Sequence, residues 1–130
     1  MSPEQEYGEQ WEIRLVKKLL EFGQVERLSE YDWTSEFDIK LNDKLIHCKA
    51  AQSKRHRAEK NRWRNRYQFN FSMVTDGDFI IAICDTWGEP VYFIIPVSEL
   101  QKRGLYITSH PLTYSGWAAE YRERWELLHG

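Results

Sequence analysis

Long apolar runs are missing from this 130-residue sequence. The longest, FIIAIC over Phe79–Cys84, is far shorter than the roughly 20 residues that a bilayer-spanning helix needs, so no membrane partner is expected. Cysteine is scarce: Cys48 and Cys84 are the only two, each inside an apolar run. A secreted scaffold stapled by disulfides needs more of them, so two reduced core thiols in a cytoplasmic protein are expected. The opening MSPEQEYGEQ is acidic and polar and carries no apolar segment of the signal-peptide kind. Repeats and low-complexity linkers are absent, and the length suits one domain, 1–130, able to bury a core. Net charge is slight as well, a formal −2, which by itself names no partner.

Aromatic residues are abundant, at 15% with six Trp, so a core or a binding surface must hold large rings. The charge is also unevenly placed. KRHRAEKNRWRNR, from Lys54 to Arg66, holds seven Lys or Arg, one Glu and one His. That leaves 11 of the 18 basic residues and 19 of the 20 acidic ones for the remainder. An acidic body with one basic segment is a clearer partner signal than the mean charge.

The pattern of apolar residues gives a coarse layout. PEQEYGEQWEIRLVKKLLEFG reads as a helix: Trp11, Leu15, Leu19 and Phe22 recur at helical spacing, and Ile13, Val16 and Leu20 widen the stripe. Pro3 suits the first turn and Gly23 the end. GQVERLSEYDWTS reads as a connector with room for a short strand, and RYQFNFSMV as a weak strand or exposed segment. DFIIAICDTWGEPVYFIIPV reads as two buried strands joined by DTWGEP. SELQKR reads as a short helix capped by Ser98 and ended by Gly104. LYITS reads as a last short strand, and YSGWAAEYRERWELL as a closing amphipathic helix with Trp117, Tyr121, Trp125 and Leu128 near one face. A helix, a hairpin, further strands and a helix make an α/β domain with a mixed central sheet and flanking helices.

The stretch EFDIKLNDKLIHCKA carries the chemistry. Two alternating runs split by Asn42 and Asp43 predict a tight hairpin. With those two residues as the loop, Leu41 faces Lys44 and Asp38 faces His47. Lys49, two residues on, shares their side of the sheet. Phe37, Ile39, Leu41, Ile46 and Cys48 then point into the core. A slip of one residue in register would undo this arrangement. An acid, an imidazole and an ammonium on one side suit phosphodiester hydrolysis. In that chemistry carboxylates hold a hard cation and a lysine stabilises charge on the phosphate.

FDIKLNDKLIHCKAA, preceded by EIRLVKKLLEFG, resembles the PD-(D/E)XK nuclease superfamily. It is similar to small intron-homing endonucleases and Holliday-junction-resolvase-like proteins over roughly residues 5 to 128. The resemblance implies a restriction-endonuclease-like core. It implies a DNA endonuclease dependent on Mg²⁺ or Mn²⁺, acting as a homodimer to reach both strands, in the cytoplasm and nucleoid-associated in a prokaryote. It makes Glu12 the helix carboxylate, Asp38 the central metal ligand and Lys49 the catalytic lysine, with His47 where the family usually has Glu, Asp or Gln. Imidazole brings no negative charge and prefers softer metals than Mg²⁺. His47 is therefore a ligand for Mn²⁺, a proton acceptor, or the mark of a dead site.

Each residue has a plainer reading. Glu12 can be a solvated helix residue, with Glu6 and Glu9 as alternatives; Lys49 an exposed strand lysine; His47 a satisfied surface histidine. Asp38 is harder to dismiss, since Asp is disfavoured in strands. The basic segment supplies Lys54, Arg55, Arg57, Lys60, Arg62, Arg64 and Arg66 as phosphate contacts and Trp63 as a stacking ring. Arg62, Arg64 and Arg66 would share one face of an extended segment. Its plainer reading is a solvated charged loop. The expected partner is DNA, with RNA an open alternative. The rival functions are a nucleic-acid-binding module on a decayed nuclease fold, and an interaction domain whose basic loop binds an acidic partner.

Overall fold

The computed structural model describes residues 2–28, 36–59, 62–71, 76–100, 105–108 and 110–129, with backbone alone at 55–59 and 62–64. The chain begins with helix α1, Pro3–Leu19. Ser2 caps it: its hydroxyl accepts from the Gln5 amide while the Gln5 side chain accepts from the Ser2 amide, satisfying two otherwise orphaned donors. Gly8, Trp11, Glu12, Leu15 and Leu19 form its buried stripe. Ile13 and Leu20, expected to widen that stripe, are exposed, and a carboxylate, Glu12, takes a place inside it.

Eight strands follow among the described residues. They are β1 Val25–Leu28, β2 Glu36–Leu41, β3 Lys44–Gln52, β4 Lys54–Glu59, β5 Arg62–Phe69, β6 Phe79–Asp85, β7 Val91–Pro96 and β8 Leu105–Thr108. Five make a central sheet in the order β1-β2-β3-β6-β7, and three make a second sheet, β4-β5-β8. Within the central sheet β3 and β6 run parallel and the other neighbours antiparallel. The connector therefore holds a full strand, β1, with 29–35 outside the described residues, and the first part of RYQFNFSMV, 66–69, is a strand paired with β8, while 72–74 lie outside the described residues.

The sheet is covered on both faces, which explains why β6 and β7 are apolar without alternation. On one face α1 packs Trp11, Leu15 and Leu19 over Phe37, Ile39, Leu41, Ile46, Cys48, Ile81, Ile83 and Ile94. On the other, Ile80, Ala82, Cys84, Phe93 and Ile95 meet Tyr67 and Phe69 of β5 and Leu105 and Ile107 of β8. Both cysteines are free and buried, as expected of core thiols.

The closing helix is not formed. Residues 116–129 fold instead as turns and two short 3-10 pieces, Ala119–Tyr121 and Trp125–Leu128. The reason is local competition. Glu123 sits at φ 53°, outside helical space. Its amide donates to the Tyr92 carbonyl at 2.7 Å and its carboxylate accepts from the Tyr92 amide at 3.1 Å. The segment thereby covers the open edge of β7. Likewise SELQKR gives a 3-10 turn, Val97–Glu99, with no side-chain cap from Ser98; residues 101–104 lie outside the described residues.

Leu15 is fully buried beneath α1. Replacing it with Ala is expected to lower the unfolding free energy by about 2–5 kcal/mol, read as a shift in the urea midpoint with an unchanged slope.

Candidate active site and nucleic-acid interface

The hairpin adopts the expected register: Leu41 faces Lys44, Phe37 faces Cys48, and Asp38 faces His47. Strand alternation then puts Asp38, His47 and Lys49 on the face of the second sheet. His47 pairs with Ile80 and Lys49 with Ala82, both β6 residues of that layer's core. Three of the four residues singled out in the hairpin and helix are thus on one side of the sheet.

The fourth is not. Glu12 lies in the α1 layer, 1% exposed, and accepts from Arg27 Nε at 2.5 Å. Arg27 faces Ile39 in the β1–β2 register, which keeps it in the same layer. The sheet therefore separates the Glu12 and Asp38 carboxylates. Both charges act on the buried Cys48 thiol between them; burial, first, pushes that thiol well above its usual range, and Asp38 and Glu12 add to the push.

His47 is held at both nitrogens. Nδ1 lies 3.0 Å from Asp38 Oδ1, and Nε2 lies 3.0 Å from the Asp76 carbonyl and 3.3 Å from Asp76 Oδ1. A carbonyl and a carboxylate only accept, so this pair of contacts favours the protonated ring, in which both nitrogens donate. The hydrogen bond to Asp38, opposed in part by burial and aided by the charges of Asp38 and Asp76, raises the imidazole pKa from its ordinary 6.5. The ring ties the hairpin to the segment before β6. Beside it Leu45 and Asp78 exchange bonds, the Leu45 amide to Asp78 Oδ2 at 2.9 Å and the Asp78 amide to the Leu45 carbonyl at 2.8 Å. Gly77, at φ 92°, permits this contact: a Cβ there would stand 2.8 Å from His47 Nε2. His47 thus clasps the hairpin to the segment before β6, with both ring nitrogens engaged.

The ligand set Glu12, Asp38 and His47 does not fit a divalent cation. One carboxylate is in the other layer, both His47 ring nitrogens are engaged by Asp38 and Asp76, and among the described residues no three His, Cys, Asp or Glu side chains converge on a point. Lys49 remains accessible at 20% and pairs across the strands with Glu36 at 3.7 Å.

The basic segment is not a loop. It forms the antiparallel hairpin β4–β5, with Lys54 opposite Arg66, Arg55 opposite Asn65 and Arg57 opposite Trp63, and a register shift between Arg57 and Glu59. Only Ser53 separates β3 from β4. Arg64 and Arg66 hold backbone positions of opposite parity to the buried Tyr67 and Phe69. Lys54 is exposed, and the Arg66 guanidinium lies over the Tyr106 ring at 4.5 Å. Lys60 and the side chains of Arg55, Arg57, Arg62, Trp63 and Arg64 lie outside the described residues. The basic hairpin belongs to the layer on the Asp38–Lys49 side of the central sheet.

A second polar cluster escaped the sequence reading. At the carboxyl ends of the parallel pair, Gln52 faces Asp85. Asp85 Oδ2 accepts from the Tyr7 hydroxyl of α1 at 2.9 Å and lies 3.5 Å from Gln52 Nε2. Its other oxygen accepts from the Trp87 amide at 3.1 Å. Open sheets bind ligands at such carboxyl ends, and the acid closing a buried apolar run was the available signal.

This geometry has a likeness among solved structures. The chain is similar to a bacterial homing endonuclease, I-Ssp6803I, with a TM-score of 0.59 and 16% identity, over 98% of this chain and 92% of that one. No family profile and no curated protein matches the sequence. The chain thus has a mixed α/β, homing-endonuclease-like fold. Among the described residues no helix is long and apolar enough to cross a membrane.

The clasp has a pH signature. A raised folded-state pKa contributes stability that is complete below the ordinary value of 6.5 and lost as pH rises through the raised one. Unfolding free energy should therefore fall as pH climbs above 6.5, and H47N should flatten that fall. The loss is about 1 kcal/mol, kept small by the exposure of both aspartates. Urea titrations of both proteins from pH 5.5 to 8.5 check this.

Proposed function

We propose that this chain is a DNA endonuclease of the PD-(D/E)XK kind, which grips the sugar–phosphate backbone with the β4–β5 hairpin and hydrolyses it on the same side of the central sheet. The observation that carries the reading is the likeness of nearly the whole chain to an endonuclease. The charge layout agrees with it. Seven cations fall between Lys54 and Arg66 in an otherwise acidic protein, which favours phosphate along one surface and repels it elsewhere.

On this reading Lys49 and Asp38 are the reacting pair. The Lys49 ammonium stabilises negative charge developing on the phosphate, and the Asp38 carboxylate, 46% exposed, faces the attacking water. Glu12 and His47 hold the scaffold: the first ties α1 to β1 through Arg27, the second clasps the hairpin. The described donors do not form a set for a divalent cation. A homodimer would present two such surfaces to the two strands.

A second reading, DNA binding without cleavage, is favoured by one observation, the commitment of both His47 nitrogens to aspartate groups. Incubation of supercoiled and branched DNA with the protein in Mg²⁺, in Mn²⁺ and in EDTA separates the two. The endonuclease reading expects nicked and linear product, and K49A should reduce its rate by about a hundredfold or more with binding retained. A wild-type protein that retards DNA but leaves it intact in all three conditions establishes the second reading instead. Joint replacement of Arg62 and Arg64 by Ala should lower the slope of log affinity against log salt by about 2 in magnitude.

A further inference from the structure

The turn between β6 and β7 has a feature that the cleavage reading leaves unused. Trp87 is 81% exposed, the most open of the large apolar side chains described, and sits at φ 65°. A bulky residue seldom adopts that left-handed backbone. Four hydrogen bonds fix the turn around it. Asp85 Oδ1 accepts from the Trp87 amide at 3.1 Å, and Thr86 Oγ1 accepts from the Gly88 amide at 3.3 Å and donates to the Glu89 carbonyl at 2.7 Å. The fourth, from the Tyr7 hydroxyl to Asp85 Oδ2, anchors the turn to α1. An indole in water on a backbone conformation that glycine or asparagine would adopt at less cost needs a reason beyond folding.

Its place supplies one. Asp85 faces Gln52 across β3 and β6, and the basic hairpin starts at Lys54, two residues past Gln52. Neighbouring strands lie about 4.8 Å apart. Trp87, two residues past Asp85, therefore leaves the sheet beside the root of the cationic ribbon. A rigid, exposed ring next to a phosphate-binding surface suits stacking on a nucleobase, which every base permits through its π-face.

We propose that Trp87 is a stacking contact for an unpaired base of the nucleic acid held by the β4–β5 hairpin, so that the protein prefers opened or single-stranded segments to continuous duplex. The inference rests on the nucleic-acid-binding part of the proposed function, and not on cleavage.

The test uses the full chain with two replacements. W87F keeps a ring; W87N removes it while suiting the left-handed turn, with circular dichroism as the check on folding. Affinities for a 20-nucleotide oligo-dT and for a matched duplex are measured by fluorescence anisotropy over a range of salt. W87N should weaken oligo-dT binding about tenfold, W87F should restore most of it, and the salt slope should not change, since no phosphate contact is lost. Duplex affinity should move less than twofold. The inference is overturned if W87N binds oligo-dT within twofold of wild type, if the salt slope changes with it, or if W87N alters only the sedimentation coefficient, which would make Trp87 a contact between copies of the chain. A wild-type protein that binds neither DNA removes the proposed function together with this inference. Wild-type binding that W87N does not touch removes this inference alone.

Discussion

Burial of the central sheet on both faces is the constraint from which the rest of the structure follows. Side chains along a strand alternate between faces, so once α1 covers one face and the β4-β5-β8 sheet the other, each residue of β2 and β3 is assigned to a layer by parity alone. Phe37, Ile39, Ile46 and Cys48 enter the helix layer. Asp38, His47 and Lys49 take the opposite face, among groups that tolerate charge only with partners. The Asp38–His47 and Glu36–Lys49 contacts meet that need. A shift of one residue would send three charged groups under Trp11 and Leu15, which is why so short a hairpin holds one register.

The same constraint decides what Glu12 can do. Its position on the buried stripe of α1 is unusual for a carboxylate, and it is paired there with Arg27, itself in the helix layer. A buried ion pair seldom adds much net stability, but the loss of one partner is costly. The pair ties α1 to β1. The sheet that gives Glu12 this role also keeps its carboxylate from Asp38.

Much of the hairpin was legible in the sequence because its physics is local. Asn42 sits at φ 53°, as a tight turn demands, and alternation did the rest. The same holds for the paired strands on either side of DTWGEP. Three things were not legible. Placing Glu12 required knowing which face α1 covers, a tertiary fact with no echo in helical spacing. The end of the chain has good helical periodicity, yet the open edge of β7 offers its backbone better partners through Glu123, and tertiary context overrides propensity. The surroundings of His47 depend on Asp76, 29 residues away, whose carbonyl engages the ring nitrogen that Asp38 leaves open.

The basic segment shows how composition and fold combine. As a loop, its cations would face all directions and pay the entropy of ordering when they met phosphate. Paired as β4–β5 and continued into β8, the segment has its backbone set beforehand, and Tyr67 and Phe69 root it in the core shared with β6 and β7. Rooting on that face has a geometric consequence. The strand that carries Lys49, β3, leads through Ser53 directly into β4, the first strand of the ribbon. On the proposed function, a polyanion drawn to the ribbon would meet the Lys49 side of the sheet, and the acidic balance of the remaining sequence would disfavour its approach elsewhere.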